Sequence, residues 1–189
     1  MTDERLGEGL WRALRAVPRG GGVIFRHDRH PRRRALGACV RAMARQRALA
    51  FVVAGDARDA ARMRGQGLHR RESGMRPGWP RLRGGVAMGA PRGGWRTASA
   101  HGVAGVVAAR RARADLVFIG PLFATSSHPG ALALGRVRLG LLLRQARTAA
   151  RGPAVAALGG LTPGRFRGLR RLGIAAWGGI DTFVPRPRR

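Results

Sequence analysis

The chain has 189 residues, 44% of them hydrophobic, and a formal net charge of +28. That length and apolar content suit one domain with a sizeable core and exclude a disordered chain. No apolar run approaches the ~18 residues of a membrane-spanning helix. The charged start, Met1-Thr2-Asp3-Glu4-Arg5, lacks the apolar segment of a secretory signal, so a cytoplasmic protein is expected.

Leu6, Leu10, Leu14 and Val17 recur at helical spacing, and Pro18 with Gly20-Gly21-Gly22 ends that helix. Val23-Ile24-Phe25 reads as a short strand. Pro31 opens a second helix, with Leu36, Val40, Met43 and Arg47 on one face. Cys39 lies in its apolar stretch and is expected to be a buried structural thiol; as the lone cysteine it forms no internal disulfide. Residues 48–54 read as a strand, Asp56 as the cap of a short helix through Met63, and Gly67-Leu68-His69 as a brief strand. Residues 70–95, rich in Gly, Pro and Arg, read as a loop with one irregular turn.

Residues 95–99 read as a strand. Val103, Val106, Val107 and Arg110 mark a helix, followed by the apolar strand 115–119. Leu139, Leu142, Leu143 and Ala146 mark another helix before a strand at 153–158. Phe166, Leu169 and Leu172 mark a further helix, 174–177 a last strand, 180–184 a closing helix, and 185–189 a frayed tail. Strands alternating with helices, and apolar on both faces, imply a parallel sheet covered by helices. About seven such units in one domain spanning 1–189 come close to a (β/α)8 barrel. The first βα turn lacks the glycine fingerprint of a dinucleotide-binding sheet.

The charge is compositional. All 37 Lys+Arg residues are Arg, and Lys, Asn and Tyr are absent, as a GC-rich coding bias produces. The arginines are spread from Arg5 to Arg189, and aromatic residues (5%) do not interleave with them as a base-stacking platform requires. An Arg-rich nucleic-acid binder is therefore the last of the readings, and no specific nucleic-acid partner is expected.

Two junctions carry chemistry. After Ile119 the chain runs Gly120-Pro121-Leu122-Phe123-Ala124-Thr125-Ser126-Ser127-His128-Pro129-Gly130, which places hydroxyls and backbone N–H groups at a strand end. After Leu158 come Gly159-Gly160 and the helix start Thr162-Pro163, where absent side chains let N–H groups reach a phosphate. Each residue also has a plainer role: Asp56 and His101 as helix caps, Ser99 and Thr125 as partners of loop backbone, His69 as a core histidine, His128 as a turn residue.

The ordered set Ser99-Ala100-His101, then residues 114–128, then Ala156-Ala157-Leu158-Gly159-Gly160-Leu161 resembles the thiamine phosphate synthase/TenI family. That resemblance spans nearly the whole chain. It implies a TIM-type (β/α)8 barrel and a transferase that joins hydroxymethylpyrimidine pyrophosphate to thiazole phosphate, releasing pyrophosphate, with Mg²⁺ as the implied cofactor. By position, Arg26 matches a pyrophosphate contact, Asp56 a Mg²⁺ ligand, Ser99, Thr125 and Ser127 hydroxyl contacts to substrate, and Gly159 and Gly160 the thiazole-phosphate loop. Arg26, Ser99 and His128 are the implied catalytic residues.

The pattern departs in places. Ile24 and Asp28 stand where the family has Gln and Lys, Gly55 where it has Asn, and His128 where it has Lys. Only Glu72 is acidic near the second implied metal ligand, and Asp181 falls in the last phosphate segment. Pro121 stands where the TenI-like tautomerases carry their catalytic His. Family members place a first strand before a Thr-Asp pair, whereas Thr2-Asp3 follows the initiator; a shortened or absent first strand is expected. The alternative reading is a catalytically impaired or TenI-like binder or isomerase of thiazole phosphates. Partners are small phosphorylated substrates, with no membrane, and a homo-oligomer is compatible with the reading.

Overall fold

A computed structural model describes residues 1–75, 79, 93–125, 130, 132–148, 152–180 and 182–183. The chain divides into two compact units. One is built from Met1–His69 with Pro80–Trp95 and Ile180–Arg189; the other comprises Arg70–Trp79 and Arg96–Gly179.

In the first unit a 3-10 turn at Glu4–Leu6 leads into α1 (Gly9–Ala16). Gly7, at φ +46, breaks the single helix that the leucine spacing implied. Leu10, Ala13 and Leu14 of α1 are buried. β1 (Gly22–Phe25), β2 (Ala50–Ala54) and β3 (Gly67–Arg70) pair in parallel and in chain order, with Phe25 opposite Val53 and Ala54 opposite His69. Between them lie α2 (Arg33–Gln46) and α3 (Ala57–Arg62). Thr2 N–H donates to the carbonyl of Ile24 at 2.8 Å, which seats the chain start on β1. β1 is the first strand among the described residues.

Phe25 and Phe51 are fully buried with ring centroids 6.0 Å apart, and Val40, Val53 and Leu68 are buried in the same unit. Each such side chain contributes ~2 kcal/mol through burial. Cys39 corrects the sequence expectation: it is exposed. Gly37, Val40 and Ala44 form the buried stripe of α2, and at 100° per residue Cys39 points well away from it.

In the second unit β4 (Trp95–Ala100), β5 (Leu116–Ile119), β6 (Ala154–Leu158) and β7 (Ala176–Gly178) again pair in parallel and in chain order. α4 (Val103–Arg111), α5 (Gly135–Arg147) and α6 (Pro163–Arg170) follow β4, β5 and β6. The core is Ala98, Val106, Val117, Ile119, Leu139, Leu142, Leu143, Val155 and their neighbours, so the helical face read for α5 is the buried one. Leu172, read as part of the α6 face, lies beyond that helix and is 48% exposed. β4 and β5 are locked at their N-terminal ends: Asp115 accepts from Arg96 N–H at 2.8 Å and from its guanidinium at 2.5 Å. The irregular turn expected after residue 70 is a 3-10 turn at Glu72–Gly74. Of the closing helix read at 180–184, Ile180, Thr182 and Phe183 are described and lie in a bend and turns rather than a helix; the rest of it and the tail fall outside the described residues.

Candidate functional site

Parallel βα units gather polar residues at the C-terminal ends of their strands, because the strands themselves are buried on both faces. Both units follow this rule.

In the first unit Arg26 directly follows β1, and Asp56 follows β2 after one glycine. Arg26 is three-quarters buried and Nη2 donates to Asp3 Oδ2 at 3.0 Å. Its backbone N–H donates to Thr2 Oγ1 at 2.9 Å, and that hydroxyl also bonds His27 Nδ1 at 3.0 Å. The Thr2-Asp3 pair is thus built into the strand end beside Arg26. Asp3 also takes Nε of Arg5 at 2.6 Å. Hydrogen bonds from Arg5, with the charges of Arg5 and Arg26, outweigh burial and hold its carboxyl down to about 2.

Asp56 is exposed and caps α3: its Oδ1 accepts from Asp59 N–H at 2.8 Å. The capping role read from the sequence is the role the geometry gives it. His69 is buried on β3, and burial first, with the charge of Arg26 second, pushes its imidazole down to about 3. It is a neutral core histidine. His27 is lowered for the same leading reason, burial.

In the second unit the ends of β4, β5 and β6 are stitched together. His101, just after β4, bonds the carbonyl of Gly120 through Nδ1 at 2.7 Å. Leu122 N–H donates to Leu158 O at 2.8 Å, and Phe123 N–H to Gly159 O at 3.2 Å, so the loop after β5 runs along the end of β6. The bond Gly120-Pro121 is cis. Gly159 (φ +87) and Gly160 (φ +59) sit against this loop: a Cβ on Gly159 would meet Pro121 Cβ at 2.6 Å, and one on Gly160 would meet Phe123 Cβ at 2.8 Å. Both glycines are required by the backbone itself.

Arg165, which the sequence did not single out, reaches this junction. Its guanidinium lies 4.6 Å from the Phe123 ring centroid, and Nη1 donates to Gly160 O at 2.6 Å. Its N–H is capped by Thr162 Oγ1 at 3.3 Å. Ser99 lies on β4 opposite Phe118, two residues before His101, and Thr125 follows the Pro121–Ala124 turn. Ser127 and His128 lie outside the described residues.

Glu72 is the acid nearest the second implied metal position. Its Oε2 accepts from His101 N–H at 2.8 Å, and its carboxylate packs on Gly105 of α4. Among the described residues no group of three or more His, Cys, Asp or Glu side chains could hold a metal ion. Asp56 is engaged as a cap, Asp59 pairs with Arg33, and Glu72 holds His101. This donor set does not fit a resident Mg²⁺. No helix among the described residues is long and apolar enough to cross a membrane.

Parallel strands in chain order, with helices after β1, β2, β4, β5 and β6 and polar residues gathered at the strand ends, define a TIM-type α/β protein. The sequence matches the family model described as thiamine monophosphate synthase over residues 2–182, and the chain belongs to that family. Among solved structures it is similar to thiamine phosphate pyrophosphorylase from Pyrococcus furiosus, at 20% identity and a TM-score of 0.67, covering 95% of this chain and 83% of that one. That likeness shows the fold. No curated protein matches the chain.

Proposed function

We propose that the protein is a thiamine phosphate synthase-type transferase that joins hydroxymethylpyrimidine pyrophosphate to thiazole phosphate. The family match across residues 2–182 carries this reading. In the reaction the thiazole nitrogen bonds to the exocyclic methylene carbon of the pyrimidine as the carbon–oxygen bond to pyrophosphate breaks; the electron pair leaves with the pyrophosphate. Negative charge therefore builds on the leaving oxygen, and fixed cations there lower the barrier.

Arg26, held at the end of β1, supplies such a charge. Asp3 fixes the orientation of its guanidinium and also shares its charge, which weakens the field on a bound anion. Ser99, Thr125 and Ser127 donate hydroxyls to substrate, and the Gly159-Gly160 loop receives the thiazole phosphate through backbone N–H groups. Arg165, pinned beside Gly160, adds the positive charge that the family's Lys would bring where His128 stands.

A second reading has a specific support. Arg26 is paired with Asp3 and Asp56 is used as a cap, an arrangement that suits a binder or isomerase of thiazole phosphates with little transferase activity. Formation of thiamine phosphate from the two substrates, followed as thiochrome fluorescence after oxidation, separates the two. Turnover that falls in Arg26→Ala supports the transferase. Tight binding of thiazole phosphate without turnover supports the binder.

A further inference from the structure

Besides Arg26, a second cation beside the strand ends of the first unit is held internally. Arg33 opens α2, and its side chain is only 13% exposed. Nη1 donates to Asp59 Oδ2. Nη2 donates to the carbonyl oxygen of Ala54 at 2.6 Å and lies 3.7 Å from Asp28 Oδ1. Ala54 ends β2, and Asp56, two residues on, is tied to Asp59 by its cap bond at 2.8 Å. Two carboxylates from separate segments and a strand-end carbonyl thus converge on one point. Hard oxygen donors converging in this way are what a divalent cation takes. Here a guanidinium fills that point, with Phe25 beneath it, 5.7 Å from the ring centroid. Its planar fork pairs with a carboxylate and a carbonyl at once, and unlike a hydrated metal ion it does not exchange.

We infer that the Arg33 guanidinium is the resident cation of the Asp28–Ala54–Asp59 cluster and that in the native chain this cluster recruits no divalent ion. The cluster adjoins Asp56, the residue that matches the family's Mg²⁺ ligand, through the cap bond to Asp59 N–H. A divalent ion entering here has to displace Arg33 or sit beside its positive charge. Asp28 stands where the family has Lys, so Arg33 also answers a sign change in the neighbouring strand-end segment. The inference concerns cation binding alone, so loss of the transferase reading leaves it standing.

The test is a Mn²⁺ titration of the full chain, read by the electron paramagnetic resonance signal of free Mn²⁺ and by thermal melting with Mn²⁺ or chelator. The native chain is expected to melt at the same temperature in both and to show no Mn²⁺ binding that Asp59→Asn removes. Arg33→Met is expected to melt lower in chelator, to bind one Mn²⁺ at least tenfold tighter than the native chain, and to lose that binding when Asp59→Asn is added. Where Arg33→Met does not fold, Arg33→Gln, which keeps a polar head beside Ala54, takes its place. Stoichiometric Mn²⁺ binding by the native chain that Asp59→Asn abolishes would overturn the inference. So would a folded Arg33 variant that binds Mn²⁺ no better than the native chain.

Discussion

Arg26 Nη2 donates to Asp3 Oδ2 at 3.0 Å across twenty-three residues of chain, and the Asp3 side chain is only 7% exposed. The candidate anion-binding arginine is thus a structural partner before any ligand arrives. Hydrogen bonds to charged groups in such settings contribute ~1.5–3 kcal/mol. Asp3→Asn is therefore expected to lower stability by ~2 kcal/mol at neutral pH, measured by urea unfolding. The sign follows from the lowered carboxyl. Asp3 contributes fully above its unfolded value of 3.8, and the contribution is lost as pH falls toward about 2. The native and variant curves should converge on acidification through that window.

His69 gives a second pH signature. Its imidazole is pushed from 6.5 to about 3 by burial, so the unfolded chain takes up its proton first as pH falls. Stability from the neutral ring is fully present above 6.5 and declines between 6.5 and about 3. His27, lowered in the same direction, adds to the slope below 6.5. Melting temperature measured from pH 7 to pH 4 should fall in the native chain and flatten in His69→Gln relative to its own value at pH 7.

Asp56 separates capping from chemistry. Its carboxylate accepts from Asp59 N–H at 2.8 Å, a bond that a serine also makes at this position. Asp56→Ser should keep the melting temperature within a degree or two, while Asp56→Ala should lose ~1 kcal/mol. If Asp56 also contacts substrate, Asp56→Ser loses turnover although its stability is kept; if the cap is its whole role, turnover follows stability.

The glycine pair answers differently. Gly160→Ala places a methyl group against Phe123 Cβ at 2.8 Å and on the Ala124 carbonyl, at φ +59. A left-handed backbone and a contact with no slack together should cost ~2 kcal/mol, or ~4–8 °C in melting temperature. If the loop also receives phosphate, binding of thiazole phosphate should weaken at least tenfold, more than the stability loss accounts for.

Much of the architecture could be read from the sequence because local signals agreed with it. Val23-Ile24-Phe25 and Phe51-Val52-Val53 are apolar on both faces, which only a covered parallel strand tolerates, and both are strands. Asp56 announced α3 as its cap. Cys39 misled because Leu36 to Val40 is apolar all round, so the sequence could not say which side faces the core; Gly37, packed on Phe25 and Met63, decides it. The site was legible in part. Arg26, Ser99, Thr125 and the glycine pair all lie at or just beyond strand C-terminal ends. The ties of Arg26 to Asp3, of Arg33 to Asp59, and of Glu72 to His101 join residues 23 to 29 apart in sequence, which no local pattern encodes. In a chain whose every basic residue but histidine is Arg, residue type alone could not tell Arg33 or Arg165 from the rest.

The most direct measurement incubates the folded protein with hydroxymethylpyrimidine pyrophosphate and thiazole phosphate, Mg²⁺ being supplied as the counterion of the pyrophosphate, and quantifies thiamine phosphate and released pyrophosphate together. The account predicts the two products in equal amounts and a rate at least tenfold lower in Arg26→Ala, the order expected when a charged contact to the leaving group is removed. A folded sample that forms neither product would contradict it.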